Sequence, residues 1–89
     1  MKYVLDVDIH PSALRHGIPA ADIEHAWEFG ARFVQLDSEG DWSRELCIGP
    51  DRAGNLLEIL YRPAAEDFII FHAMRLRPIL ARYLGKRRS

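Results

Sequence analysis

Four short segments in which apolar residues recur at every second position constrain the fold of this 89-residue chain more than any other feature. A two-residue period is typical of β-strands that bury one face. The predicted strands are residues 33–36, 44–48, 56–61 and 68–74. Turn residues at 38–41, 51–54 and 64–67 separate them, and each connection is short enough for a hairpin. The pattern therefore predicts a four-stranded antiparallel meander.

The remaining segments predict one more strand and three helices. Residues 1–9 alternate as a half-buried strand. Pro11 begins a short helix that Gly17 ends, and a second helix follows Pro19 with apolar residues at three- and four-residue spacing. Pro78 begins a last helix that ends at Gly85. We therefore expect a single α+β domain over residues 1–89, with an N-terminal strand, two short helices, the meander and a C-terminal helix.

Composition and charge limit the classes of protein to which this chain can belong. A hydrophobic fraction of 48% with 28% charged residues is typical of a globular protein, and no segment is apolar for long enough to cross a membrane. Together with an early acidic residue at the N-terminus, this predicts a cytoplasmic location. The net charge is −1, yet every charge after Asp67 is positive, which predicts a cationic surface that attracts a polyanion or an acidic partner. Lone Cys47 lies in an apolar run and is expected to pack.

Two polar residues interrupt the apolar strands. His72 lies in the last predicted strand and Glu58 lies between Leu56 and Leu60 in the strand before it. The hairpin places Glu58 opposite Ala73 in one register and opposite His72 in the next, and only the second register brings the acid and the imidazole into contact. The pair can be structural, with His72 bonded to Glu58 or to a carbonyl, or it can transfer protons.

These residue types match the requirements of metal-independent RNA cleavage. That reaction needs removal of the 2′-hydroxyl proton, stabilisation of charge on phosphorus and protonation of the leaving oxygen. His72 and Glu58 are the candidate proton-transfer residues. Arg75 and Arg77, near His72 and the start of the last helix, are candidate catalytic cations.

Further residues are candidates for substrate binding. Arg44 and Arg62, on neighbouring predicted strands, can contact phosphate, although a solvated surface position explains either one, taken alone, better. Trp42 can stack on a base or pack over the sheet edge. No set of Cys and His residues has metal-ligand spacing, and no glycine-rich phosphate loop occurs, so we expect neither a metal nor a cofactor. The other three histidines, including His16, are interpreted as capping or surface residues.

Three motifs carry a resemblance to a known family. They are Arg15-His16-Gly17-Ile18, Arg44-Glu45-Leu46-Cys47-Ile48-Gly49 and Gly54-Asn55-Leu56-Leu57-Glu58-Ile59. With the order of elements, they resemble the BrnT-type toxins of toxin-antitoxin operons. The resemblance implies a fold related to RelE-type ribonucleases and an antitoxin that covers the RNA site and often carries a DNA-binding domain. Of the residues common in the C-terminal part of that family, Arg75 or Arg77 and Tyr83 match positions of this chain.

The alternative hypothesis is a non-catalytic interaction domain that binds a small partner chain. It depends on several apolar side chains sharing one open face of the sheet. The residues concerned are Leu56, Leu60, Phe68, Ile70 and Met74.

Overall fold

A computed structural model describes residues 7–39, 42–64 and 67–86. Five strands form one sheet in the order β1-β5-β4-β3-β2. The strands are β1 (Val7–Ile9), β2 (Ala31–Glu39), β3 (Trp42–Pro50), β4 (Leu56–Ala64) and β5 (Asp67–Arg75). The α-helices are α1 (Ala20–Phe29) and α2 (Pro78–Ala81), and 3-10 helices span Pro11–Leu14 and Arg82–Lys86. The α+β class predicted from the sequence is confirmed.

The sheet is mixed and has five strands, which corrects the predicted layout. Strands β2 to β5 pair antiparallel in chain order, but β1 joins the far edge and runs parallel to β5. The period-two pattern shows that residues form a strand, whereas it does not show which strand they pair with. Residues 10–30 connect β1 to β2, and these two strands lie at opposite edges of the sheet. Residues 1–6 of the predicted first strand lie outside the described residues.

The two terminal helical segments are shorter than the sequence predicts. Pro11–Leu14 is a single 3-10 turn, in which the ring of His10 accepts a hydrogen bond from the Ser12 backbone N–H at 3.1 Å. Gly17 follows with a φ of 83°, a left-handed conformation that favours glycine. At the other end, α2 contains four residues and continues as a 3-10 helix. Both segments lie against the sheet, and packing there replaces the stability that a longer helix would supply.

Each side of the sheet carries a hydrophobic cluster. On the side that we call the α1 face, Trp27 packs against Tyr61 and Phe68 with ring centroids 4.7 and 5.4 Å apart. On the other side, the C-terminal face, the segment after β5 covers a smaller cluster. The covering residues include Leu76, Leu80, Tyr83 and Leu84, and the covered residues are Leu46, Ile48 and Leu60.

A β-bulge in β5 decides which side chains share a face. Tyr61 pairs with Ile70 but Leu60 pairs with His72, so Phe71 is the extra residue. The hydroxyl of Ser12 donates a hydrogen bond of 2.7 Å to the Phe71 carbonyl at this point. As a result Glu58 pairs with Met74, and both registers predicted from the hairpin are wrong.

The interaction hypothesis predicted that five apolar residues share one open face, and the bulge and the C-terminal segment separate these residues. Ile70 is buried on the α1 face and Phe68 packs there as well, whereas Leu60 lies in the C-terminal cluster. Leu56 is exposed. The five apolar residues therefore do not form one open surface.

Close packing of α1 on β3 gives the first prediction. A Cβ atom on Gly49 would lie 2.1 Å from the Ala26 carbonyl oxygen, a backbone atom. Gly49→Ala should therefore push the helix from the sheet and lower the free energy of unfolding by about 1 to 3 kcal/mol. Urea denaturation of the two proteins measures this change. The control is Gly54→Ala, where a Cβ meets nothing within 4 Å and the cost is the φ of 93°, about 1 kcal/mol. A larger loss at Gly54 than at Gly49 would contradict the packing.

Candidate functional site

Glu58 is the centre of the candidate site. Its side chain is 0% exposed, and it lies on the C-terminal face of β4, because its neighbour in the pairing, Ile48, belongs to that cluster. Its Oε2 accepts hydrogen bonds from His72 Nε2 at 2.9 Å and from Arg77 Nη2 at 2.7 Å. A buried carboxylate needs such partners, because an uncompensated buried charge is costly. Glu58 thus joins an imidazole and a guanidinium on one face.

The local sequence fixes Arg77 over this carboxylate. Arg77 precedes Pro78, and the proline ring favours an extended backbone at the residue before it. Arg77 has φ −90° and ψ 148°, and it caps α2. Its backbone N–H donates to Glu58 Oε1 at 2.9 Å, and its Nε lies 3.1 and 2.9 Å from the two carboxylate oxygens. The guanidinium binds Glu58 in a bidentate manner while 48% of the Arg77 side chain stays exposed.

The hydrogen bonds decide the charge of the carboxylate. Burial alone would raise the pKa of Glu58, but the side chain and backbone of Arg77 and the imidazole of His72 together hold that pKa below its usual value of 4.5. Glu58 is therefore ionised at neutral pH and can only accept hydrogen bonds. It follows that His72 Nε2 carries a hydrogen, and that Nδ1 is the nitrogen left to exchange protons.

This geometry changes one predicted role. We expected Glu58 to share proton transfer with His72, and the contact between them is present. However, a fully buried carboxylate that two partners already occupy cannot reach a substrate. What Glu58 does in the structure is to hold His72, whose side chain is 20% exposed, and Arg77 by hydrogen bonds.

A second histidine adjoins the first, and the sequence prediction missed it. The ring of His16 lies edge-on to the ring of His72 with centroids 5.4 Å apart. His16 is exposed and lies in the turn after the first 3-10 helix. That turn reaches His72 because the 3-10 helix is tied to β5 through Ser12 and Phe71. The available signal was that His16 belongs to one of the three motifs of the family resemblance.

Arg75 does not join this cluster, contrary to the prediction. It pairs with Leu57, whose side chain lies in the core on the α1 face, so alternation along β5 directs Arg75 to that side. Arg77 follows two residues later, but β5 has ended and the backbone has turned toward α2. The two arginines, which look equivalent in the sequence, are therefore on different sides of the sheet.

Three of the four predicted substrate-binding residues, Arg62, Arg44 and Tyr83, lie elsewhere on the C-terminal face. Arg62 follows Leu60 by two positions, and Arg44 precedes Leu46 by two positions. Because Leu60 and Leu46 pair with each other, both arginines share that face, at the end away from Arg77. Tyr83 is half-buried in the covering segment, and the Arg82 guanidinium lies 5.4 Å from its ring. Trp42 begins β3, and its side chain lies outside the described part.

Other kinds of site are not found among residues 7–39, 42–64 and 67–86. Within these ranges there is no group of three His, Cys, Asp or Glu residues that could hold a metal ion, and no helix is long and apolar enough to span a membrane. Cys47 is buried, and burial raises the pKa of its thiol to about 11, which confirms the expectation that it packs. Compared with models of protein families, with curated proteins and with solved structures, the chain shows no match.

Proposed function

We propose that this chain is the toxin of a toxin-antitoxin pair and that it cleaves RNA without a metal ion. The observation that carries the proposal is the buried Glu58 carboxylate, which holds an imidazole and a guanidinium on the same face. The three sequence motifs that resemble BrnT-type toxins support the same class. The two arguments share Glu58, which belongs to the third motif, whereas His72 and Arg77 lie outside all three motifs.

The residues divide the chemistry as follows. His72 removes the proton of the 2′-hydroxyl through Nδ1, and the imidazolium that forms is stabilised by Glu58. Arg77 directs Nε and Nη2 toward Glu58, so the hydrogens on Nη1 point away from the carboxylate and can bind a phosphate oxygen. Its charge stabilises the transition state. Arg62 and Arg44 extend the cationic path on that face.

The biological setting follows from the resemblance and is part of the proposal. The protein acts in the cytoplasm, inhibits translation by cutting RNA and is neutralised by a cognate antitoxin that covers the C-terminal face. The positive charges that follow Asp67 suit both an RNA strand and an acidic antitoxin segment. Tyr83, in the segment over this face, is a candidate for stacking on a base.

Two measurements on the unaltered chain test this function. The purified protein should cleave single-stranded RNA in the presence of EDTA, because no step uses a metal ion. Its expression should arrest growth, and a small gene adjacent to its own should relieve the arrest. A non-catalytic interaction domain would leave the RNA intact. Intact RNA together with unaffected growth would overturn the proposal.

A further inference from the structure

The contact between two histidine rings on one face calls for an explanation that packing does not supply. His16 and His72 meet edge to face at 5.4 Å. Such aromatic contacts stabilise buried rings, but His16 is exposed and gains little from burial there. His16 does lie next to a histidine that a buried carboxylate orients. Two adjacent imidazoles can serve as base and acid for one phosphate ester, because the attacking and leaving oxygens are bonded to the same phosphorus atom.

We propose that His16 is the second proton-transfer residue of this site and that it protonates the leaving 5′-oxygen of the RNA. This inference rests on the proposed ribonuclease function. His72 takes the proton of the 2′-hydroxyl, the 2′-oxygen forms a bond to phosphorus, and the bond from phosphorus to the 5′-oxygen breaks. The imidazolium of His16 gives its proton to that oxygen. The products are a 2′,3′-cyclic phosphate and a 5′-hydroxyl, and no oxidant or additional reactant is needed.

The surroundings of the two rings assign the base and the acid. Glu58 accepts the hydrogen bond of His72 Nε2 at 2.9 Å, which leaves Nδ1 of this ring to take the proton of the 2′-hydroxyl. His16 is exposed, so solvent can supply the proton that it donates. The mechanism also defines the substrate class. Only a strand with a 2′-hydroxyl can react, so DNA of the same sequence should not be cut.

A substrate with a better leaving group tests the assignment directly. His16→Phe keeps an aromatic ring beside His72 but removes the exchangeable proton, and we expect it to cleave ordinary RNA at least about 100-fold more slowly than the parent protein. RNA with sulfur in place of the 5′-bridging oxygen needs no acid, because a thiolate leaves unprotonated. His16→Phe should cleave that RNA at nearly the parental rate, whereas His72→Gln should stay slow on both substrates.

Matched controls separate the possible failures. His25→Gln changes a histidine of α1, whose Nδ1 contacts the Pro50 carbonyl, and should leave both rates unchanged. His16→Asn provides a second variant if the phenylalanine disturbs folding. A His16→Phe protein that cleaves ordinary RNA at the parental rate would overturn the inference and leave the proposed function intact, as would a loss that sulfur does not restore. A parent protein that cleaves neither RNA would overturn both.

Discussion

Replacing His72 with glutamine is expected to slow RNA cleavage by a factor of about 10² to 10⁴, the range that a positioned general base contributes. The reason is that proton transfer is lost while the local structure is kept. A glutamine amide can still donate a hydrogen bond to Glu58 Oε2, which His72 Nε2 contacts at 2.9 Å, but it cannot accept the proton of a 2′-hydroxyl. The measurement is the single-turnover cleavage rate of single-stranded RNA in EDTA.

The matched control for this loss is His25→Gln, which makes the same chemical change on α1 and should cleave at the parental rate. Thermal unfolding of both variants shows whether the fold is kept. A folded His72→Gln protein with undiminished activity would remove this histidine from the mechanism and leave it with the structural role of a partner for Glu58.

Replacing Arg77 with methionine is expected to lower the free energy of unfolding by about 3 kcal/mol, near the lower end of the cost of breaking a buried ion pair, because half of Arg77 is exposed. For a domain of this size, the loss corresponds to a fall in Tm of about 12 to 24 °C. Methionine keeps most of the apolar stem but leaves the Glu58 carboxylate buried without its cation. The control is Arg75→Met, at an exposed residue on the α1 side of the sheet, which should cost less than about 0.5 kcal/mol.

A double variant and the pH dependence of stability show whether the loss in Arg77→Met comes from an unpaired buried charge or from lost packing. Glu58→Gln should cost about 1 to 2 kcal/mol, and adding it to Arg77→Met should restore stability, since the buried charge is then gone. In the parent, the lowered pKa of Glu58 stabilises the fold above pH 4.5, and this contribution disappears as the pH falls through the folded-state pKa. In Arg77→Met, burial dominates and raises the pKa of Glu58. Acidification should therefore reduce the difference in the free energy of unfolding between this variant and the parent. Additive losses in the double variant would contradict this account.

Local patterns predicted β4 and β5 well, because each is a short, nearly continuous apolar run that turn residues bound. Residues at 56–61 and 68–74 are within β4 and β5 as observed. The pairing of β1 with β5 and the bulge at Phe71 could not be predicted in the same way. Both depend on contacts between residues far apart in the sequence, such as the hydrogen bond from Ser12 to the Phe71 carbonyl. The register of two paired strands depends on such contacts as well as on the turn that joins the strands.

The same distinction applies to the site. Two isolated polar residues on neighbouring apolar strands predicted the contact of Glu58 with His72, and this contact is present. The predicted registers were wrong, but the observed register also places both side chains on one face. Arg77 and Arg75 could not be separated from the sequence, since the turn of the backbone after β5 decides between them. His16 was missed because its proximity to His72 arises from tertiary packing of the first 3-10 helix.

The most direct test of the central claim is to locate bound RNA on the folded protein. A fully 2′-O-methylated single-stranded RNA cannot be cleaved, and its binding can be followed by NMR shifts of the histidine rings and arginine Nε–H groups. We predict that the largest shifts occur at His72, His16 and Arg77, with small changes at His25 and Arg75. Shifts concentrated at Arg75 and His25, with His72 and Arg77 unaffected by saturating RNA, would contradict the account.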